Sequence, residues 1–344
     1  MQMKHTSPLV SIIVSVYNGE RYLGELCESL LCQSYPNVEV LFLDDGSTDG
    51  TLRVLDKWAK DSRVRVFHWT NNRGVNAATL ALLNRMQGVY WCNPGADDVL
   101  EPEFIERRLE RMEANPHAVM VHGPGRFIDE NGNTIAAPYR CLESIPSEME
   151  GGSALQVLLQ HNIINAPSIM ARTDLTRLVS QHLFTGWQYA DWFLWMLLVG
   201  TGFDLLWDER RLHRYRIHRG SLTFSESKHV VRRSNDRLVP LVALSKAATL
   251  SPAALRLWCE WRDALYSLWI LRALSMQTHG ILEKGWHLLA SQAYYGSAKR
   301  TPLAAEVLKH MPSIAWAFKQ ERCARKRQSF PCAGLAQINH PLFS

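Results

Sequence analysis

Hydrophobic positions along the first hundred residues switch between two periods. Leu9–Val16 (LVSIIVSV) is a nearly unbroken β-branched run, the pattern of a strand buried on both faces. Over 19–33, Leu23, Leu26, Cys27, Leu30 and Leu31 recur at helical spacing and form one apolar stripe. Val38–Leu43 (VEVLFL) predicts a second buried strand, ending at Asp44-Asp45-Gly46-Ser47. Thr48 or Asp49 can cap the next helix, which carries Leu52, Val54, Leu55 and Trp58. Val64–Phe67 predicts a third strand, 77–86 a third helix and Val89–Cys92 a fourth strand. This alternation predicts an α/β fold, a mainly parallel sheet flanked by helices. Ligands of such sheets bind beyond the carboxyl ends of the strands. Tyr17 and Asn18 follow the first strand, Asp44 and Asp45 end the second, and Gly95-Ala96-Asp97-Asp98 follow the fourth. Acidic groups from separate strands therefore converge on one edge.

From Val119 the pattern predicts a strand and a hairpin turning at Asn131-Gly132. A loop is predicted over 140–152, then helices over 153–161 and 189–200. The longest apolar run, Trp192 to Phe203, is bounded by Asp191 and Asp204. A membrane span needs about 20 apolar residues, so this run predicts a buried helix instead. Arg210 to Arg237 is rich in arginine and histidine. Beyond Pro240 the chain reads as helical, with Trp258, Trp261, Trp269, Trp286 and Trp316 as anchors.

Composition changes this picture little. Of 344 residues 47% are apolar and 21% charged, values of an ordinary globular protein with room for an α/β domain and an appendage. Seven cysteines with no CxxC pair, and an opening without an apolar signal segment, predict reduced thiols in a cytoplasm. The net charge of +5 rests on clusters.

Candidate chemistry sits on the acidic edge. Paired carboxylates suit Mg²⁺ or Mn²⁺, which take one or two of them together with phosphate oxygens and stabilise charge on a departing diphosphate. Alone, Asp97-Asp98 reads equally well as a solvated turn or a helix cap, and Asp44–Gly50 as a turn and cap.

The order of motifs goes further. VSIIVSVYNGERYLGELCESLLCQSYPNVEVLFLDDGSTDGT resembles the amino-terminal signature of family 2 glycosyltransferases, which have the GT-A fold. Gly74, Val75, Asn76, Gly88 and WCNPGADDVLEPEFIERRL keep that family's spacing to its DXD-type acidic motif. Tyr189-Ala190-Asp191-Trp192 is similar to the acceptor-side helix bearing the catalytic acid, and YRIHRGSLT at 215–223 to the loop whose histidine completes the metal site. The resemblance covers about residues 8–225.

The resemblance implies roles. Ser15 and Tyr17 line the nucleotide pocket, Asp45 accepts a hydrogen bond from the base, and Asp97 holds the ribose or metal side of the donor. Asp98 and His218 ligate Mg²⁺ or Mn²⁺. Asp191 is the general base of an inverting single displacement, in which an acceptor hydroxyl attacks as the nucleoside diphosphate leaves. Arg73, Arg216 and Arg219 are candidate diphosphate contacts and Trp187 a candidate acceptor contact; Trp187, Trp192 and Trp195 read either as sugar-stacking or as core. The implied donor is a nucleotide sugar, a UDP-sugar first, and the acceptor a glycan or lipid-linked glycan in surface-polysaccharide or lipopolysaccharide assembly.

Departures keep a second reading open. Thr79 and Leu80 stand where many relatives carry arginine and asparagine, and Gly95 replaces the first acid of the motif. A catalytically silent sugar-nucleotide or glycan binder is therefore the alternative. A dinucleotide oxidoreductase is excluded, since SVYNGE is no G-x-G-x-x-G. A nucleotidyltransferase would want a Gly-rich basic loop near Ser11–Tyr22, where Arg21 stands alone. Nucleic-acid binding is not expected, because the basic 210–237 segment coincides with the site loop. The resemblance divides the chain into a GT-A-like domain over 1–230 (8–118 for the donor, 119–230 for the acceptor), a helical region over 231–330 and a tail over 331–344. Within 312–327, Ile314, Trp316 and Phe318 alternate with Lys319, Arg322, Arg325, Lys326 and Arg327. That segment reads either as a helix on the inner membrane face or as one packed on the core. The QxxRW motif of processive synthases is absent, so single-sugar transfer is expected.

Overall fold

The structure, a computed structural model, describes residues 7–137, 148–160, 162–183, 190–221, 243–244 and 246–259. The chain divides into two compact units, Met1–Arg262 and Asp263–Ser344, of which the second lies outside the described residues. The tail over 331–344 and the basic segment over 312–327 lie there too. The predicted helical region over 231–330 is described only at 243–244 and 246–259, where 252–259 is helical.

Four parallel strands open the fold: β1 (Val10–Val16), β2 (Val38–Asp44), β3 (Val64–His68) and β4 (Tyr90–Cys92), in the order β3-β2-β1-β4. Between them run α1 (Leu23–Leu31), α2 (Thr51–Trp58) and α3 (Val75–Leu83). The chain continues through β5 (Val99–Leu100), α4 (Phe104–Glu113), β6 (Ala118–His122), β7 (Arg126–Ile128), β8 (Thr134–Ile135) and β9 (Glu148–Met149). Then come α5 (Gly151–Gln160), a 3₁₀ turn at Ala166–Ser168, β10 (Met170–Arg172), α6 (Thr173–Ser180), α7 (Ala190–Gly200), β11 (Asp204–Trp207) and β12 (His213–Arg216).

β10 lies antiparallel between β4 and β6, and β11 and β9 extend the sheet to eight strands. β5, β12, β7 and β8 form a second sheet of four. The predicted strand and hairpin are thus split. β6 joins the large sheet, while the hairpin, with Gly132 at φ 85°, joins the small one. The loop predicted to 152 gives way earlier, to β9 and α5.

Local causes are readable. In β1 and β2 both faces are buried, which is why their apolar runs are almost continuous. Leu23, Leu26, Cys27 and Leu30 bury the inner stripe of α1. Gly50 is the N-cap of α2, and Asp49 just before it accepts the Thr51 N–H at 3.0 Å, satisfying one of the helix's free donors. α7 is apolar all round because it is buried all round: Trp195 stacks on Trp91 with centroids 6.3 Å apart, and Trp192 Nε1 donates to the Leu158 carbonyl at 2.9 Å. Trp192 and Trp195 are therefore core residues rather than sugar platforms. Among the described residues no helix is long and apolar enough to cross a membrane.

A polar cluster is buried where α4, β6 and β12 meet. Arg108 is fully buried, with Nη1 3.2 Å from Asp208 Oδ2, and Arg210 Nη2 reaches the same oxygen at 2.8 Å. His122 and His213 are buried beside it. Glycine is needed above them, since a Cβ at Gly125 would stand 2.3 Å from His213 Nε2 and one at Gly123 2.1 Å from the Asp208 carbonyl oxygen. Burial, and secondarily the Arg108 charge, pushes both imidazoles from 6.5 down to about 3. They stay neutral in the folded protein, while the unfolded chain takes up protons below pH 6.5. Stability should therefore be flat above pH 6.5 and fall as pH drops toward 3, by about 1.4 kcal/mol per pH unit for each histidine. Urea midpoints at pH 7, 6 and 5 test this, and equal midpoints would refute it.

Candidate active site

The first wall of the crevice is set by strand register. Val16 pairs with Asp44, and Asp44 with His68, so β1, β2 and β3 stop level. Asn18, at φ 51°, turns the chain there: its N–H donates to Ser47 Oγ at 2.9 Å, and its side-chain oxygen accepts the Thr48 N–H at 2.8 Å. Tyr17 is left 49% exposed over the strand ends. The Asp44 carboxylate is fully buried and meets His68 Nδ1 at 2.8 Å.

Asp45 is buried too, and accepts the N–H groups of Arg73 at 2.7 Å and Gly74 at 2.8 Å. Gly46, at φ 74°, makes this approach possible; a Cβ there would meet the Asn71 and Asn72 backbone at 2.7 to 3.0 Å. Gly74, at φ 90°, then opens α3 two residues ahead of the predicted start. The expected base acceptor is thus already engaged, with one further lone pair on each oxygen for a ligand. Arg73 is exposed and lies over the Trp69 ring at 4.6 Å. Ser15 Oγ faces Thr79 Oγ1 at 3.5 Å.

The second wall joins the acidic turn to β12. Asp98 is 1% exposed; its oxygens accept the Gly95 N–H at 2.9 Å and the Arg216 N–H at 3.1 Å. Burial, then the neighbouring Asp97 charge, holds its carboxyl well above the usual range. Asp97 Oδ2 stands 3.0 Å from His218 Nε2. His218 Nδ1 accepts the Gly220 N–H at 3.2 Å, which places the proton of the neutral ring on Nε2, toward Asp97.

This pair fits a small divalent ion. Neighbouring ligands of an octahedral ion bound at about 2.1 Å stand about 3 Å apart. An ion there would take the Nε2 lone pair, moving the imidazole proton to Nδ1 and turning the Gly220 N–H away. Among the described residues no cluster of three or more histidine, cysteine or acidic side chains could hold a metal, so phosphate oxygens and water would complete the shell.

The family model described as glycosyl transferase family 2 matches residues 11–170. Residues 11–170 thus form a glycosyl transferase family 2 domain. An uncharacterized glycosyltransferase of Haemophilus influenzae is 41% identical over 129 residues, 37% of this chain and 51% of that protein, so the match spans about half its length. The family 2 domain also shares its fold with solved structures. Staphylococcus aureus TarS 1–349 in complex with UDP-GlcNAc is 17% identical with a TM-score of 0.57, over 83% of this chain and 81% of that one. The mannosyltransferase PcManGT of Pyrobaculum calidifontis, in complex with GDP-Man and Mn²⁺, is 16% identical with a TM-score of 0.51, over 91% and 81%.

The two adjacent aspartates differ in their surroundings. Asp97 is the carboxylate that an ion beside His218 would meet, while Asp98 shapes the turn beneath it. Arg216 is not a free diphosphate contact either. Its guanidinium is 2% exposed and donates from Nε to the Asp97 carbonyl at 2.8 Å, from Nη1 to the Asp129 carbonyl at 3.2 Å and from Nη2 to Glu25 at 2.5 Å. Arg219 is exposed next to His218. Asp191 lies in the first turn of α7 and accepts the Trp192 N–H at 2.7 Å. Trp187 falls outside the described residues.

Sequence reasoning missed Tyr22 and Glu25, although their i, i+3 spacing at the start of α1 puts them on one face. It also missed His68, which only the β2–β3 register brings to Asp44.

Three substitutions test this geometry by thermal melting. Asp98→Asn should cost about 1–3 kcal/mol, because its NH₂ would face one of two backbone donors. Asp97→Asn, at a part-exposed side chain, should cost less than about 1 kcal/mol. Gly46→Ala should destabilise by about 1–3 kcal/mol through its positive φ and the adjacent backbone. Equal effects at Asp97 and Asp98 would contradict the assigned difference.

Proposed function

We propose that the protein is a divalent-cation-dependent glycosyltransferase moving one sugar from a nucleotide-sugar donor, a UDP-sugar first, to a glycan or lipid-linked glycan. The observation that carries this is the Asp97–His218 pair, 3.0 Å apart, with Asp97 on the turn after β4, the neighbour of the strand β1 that leads into Tyr17. TarS with UDP-GlcNAc and PcManGT with GDP-Man and Mn²⁺ support it as relatives of the same fold.

On this reading Tyr17 stacks beneath the base, while Ser15 and the remaining lone pairs of Asp45 receive polar groups of the nucleoside. Asp97 and His218 hold Mg²⁺ or Mn²⁺, which supplies a counter-charge for the diphosphate. Arg73 and Arg219 are the exposed guanidiniums placed to share it. Asp191 removes the proton of an acceptor hydroxyl; the oxygen attacks the anomeric carbon as its bond to the diphosphate breaks, giving inversion. Trp187 completes the acceptor side. The donor half spans 8–118 and the acceptor half 119–230, followed by the helical region. The setting is polysaccharide or lipopolysaccharide assembly at the inner membrane face, with the 312–327 segment as a peripheral contact. Liposome sedimentation, with and without that segment, tests the contact.

Thr79 facing Ser15, where many relatives place an arginine, favours the second reading of a silent donor or glycan binder. A panel of UDP-, GDP- and dTDP-sugars with Mn²⁺ or EDTA, read by melting shift and donor hydrolysis, separates the cases. The expected result is a Mn²⁺-dependent shift for one nucleotide class, lost in Asp97→Asn. Turnover should fall by about 10²–10⁴-fold in Asp191→Asn while the shift persists. A shift without turnover leaves the silent binder, and no shift from folded protein rejects both.

A further inference from the structure

We infer that Arg216 is a positioning residue that fixes the Asp97–His218 pair, by gathering three separate segments around one buried guanidinium. The inference rests on the cation-binding reading above. The acidic turn is held twice, at the Asp97 carbonyl by Nε and at the Asp98 carboxylate by the Arg216 backbone N–H. The β7–β8 turn is held at the Asp129 carbonyl, and Asp129 itself folds that turn by accepting the N–H groups of Asn131 at 2.8 Å and Asn133 at 2.9 Å. α1 is held through Glu25 and through Tyr22, whose ring lies 4.7 Å from the guanidinium carbon.

The same Tyr22 ring packs against His218, centroid to centroid 4.8 Å. Arg216 and His218 are two residues apart, and one aromatic ring contacts both. Asp97 is thereby fixed through its own carbonyl, and His218 through the ring that Arg216 orients. Each ligand of the pair has a support leading back to one side chain.

That side chain is almost wholly withdrawn from solvent. It is 2% exposed and all three of its nitrogens donate within the protein, so its charge works inside the wall. A lysine at 216 would keep the charge but not the planar fork that reaches three acceptors. Groups that orient metal ligands in this way commonly carry about 10–100-fold in metal affinity.

The test is Mn²⁺ titration followed by electron paramagnetic resonance, with melting curves in EDTA. Arg216→Lys should weaken Mn²⁺ binding by about 10–100-fold while still melting cooperatively. Glu25→Gln, at a side chain 46% exposed, should weaken it in the same direction by less, and stays readable should Arg216→Lys not fold. Asp97→Asn should abolish binding. Wild-type Mn²⁺ affinity in both folded Arg216→Lys and Glu25→Gln would overturn the inference and leave the cation site standing. No Mn²⁺ binding by the wild type would overturn the reading beneath it and the inference with it.

Discussion

The ladder joining β1 to β2 runs from Val10 opposite Val38 to Val16 opposite Asp44 without a slip, and the crevice depends on where it stops. Beyond the last pair the Asp45 N–H still donates to the Val16 carbonyl, and the Trp69 N–H to the Asp44 carbonyl. Those two bonds fix Tyr17, Asp45 and Trp69 at one level. A shift of one residue would turn every side chain of β2 to the opposite face and take Asp45 from the 71–74 loop. Burial of both faces of β1 and β2 makes such a shift too costly to occur.

The two walls are stabilised by different means. On the first, a buried carboxylate accepts backbone N–H groups from a loop that would otherwise lie free, and glycine allows the close approach. On the second, an arginine and an aromatic ring occupy the space between three segments. Both arrangements place charged groups in low-dielectric surroundings, where each must be matched or be costly. Asp45 with the Arg73 and Gly74 N–H groups, and Arg216 with Glu25, are those matches.

Sequence periodicity shows which segments are strands and helices in the first hundred residues, because each of those elements buries a face that repeats locally. Motif order also marks the turns on which the proposed site is built. What it does not show depends on contacts distant along the chain. The early start of α3 follows from Asp45 holding Arg73 and Gly74, 28 and 29 residues away. The difference between Asp97 and Asp98 follows from the Arg216 N–H, 118 residues from Asp98. Adjacent aspartates look alike in a sequence; only the strand that arrives later buries one and leaves the other beside a histidine.

β12 is four residues long, about 13 Å at the usual rise, and its two ends lie in different surroundings. His213 opens it inside the cluster around Arg108, and Arg216 closes it on the acidic turn. A short paired strand moves as a rod, so displacement at one end is transmitted to the other. One strand thereby joins the packing around Arg108 and the Gly123–Gly125 turn to the acidic turn at Asp97-Asp98.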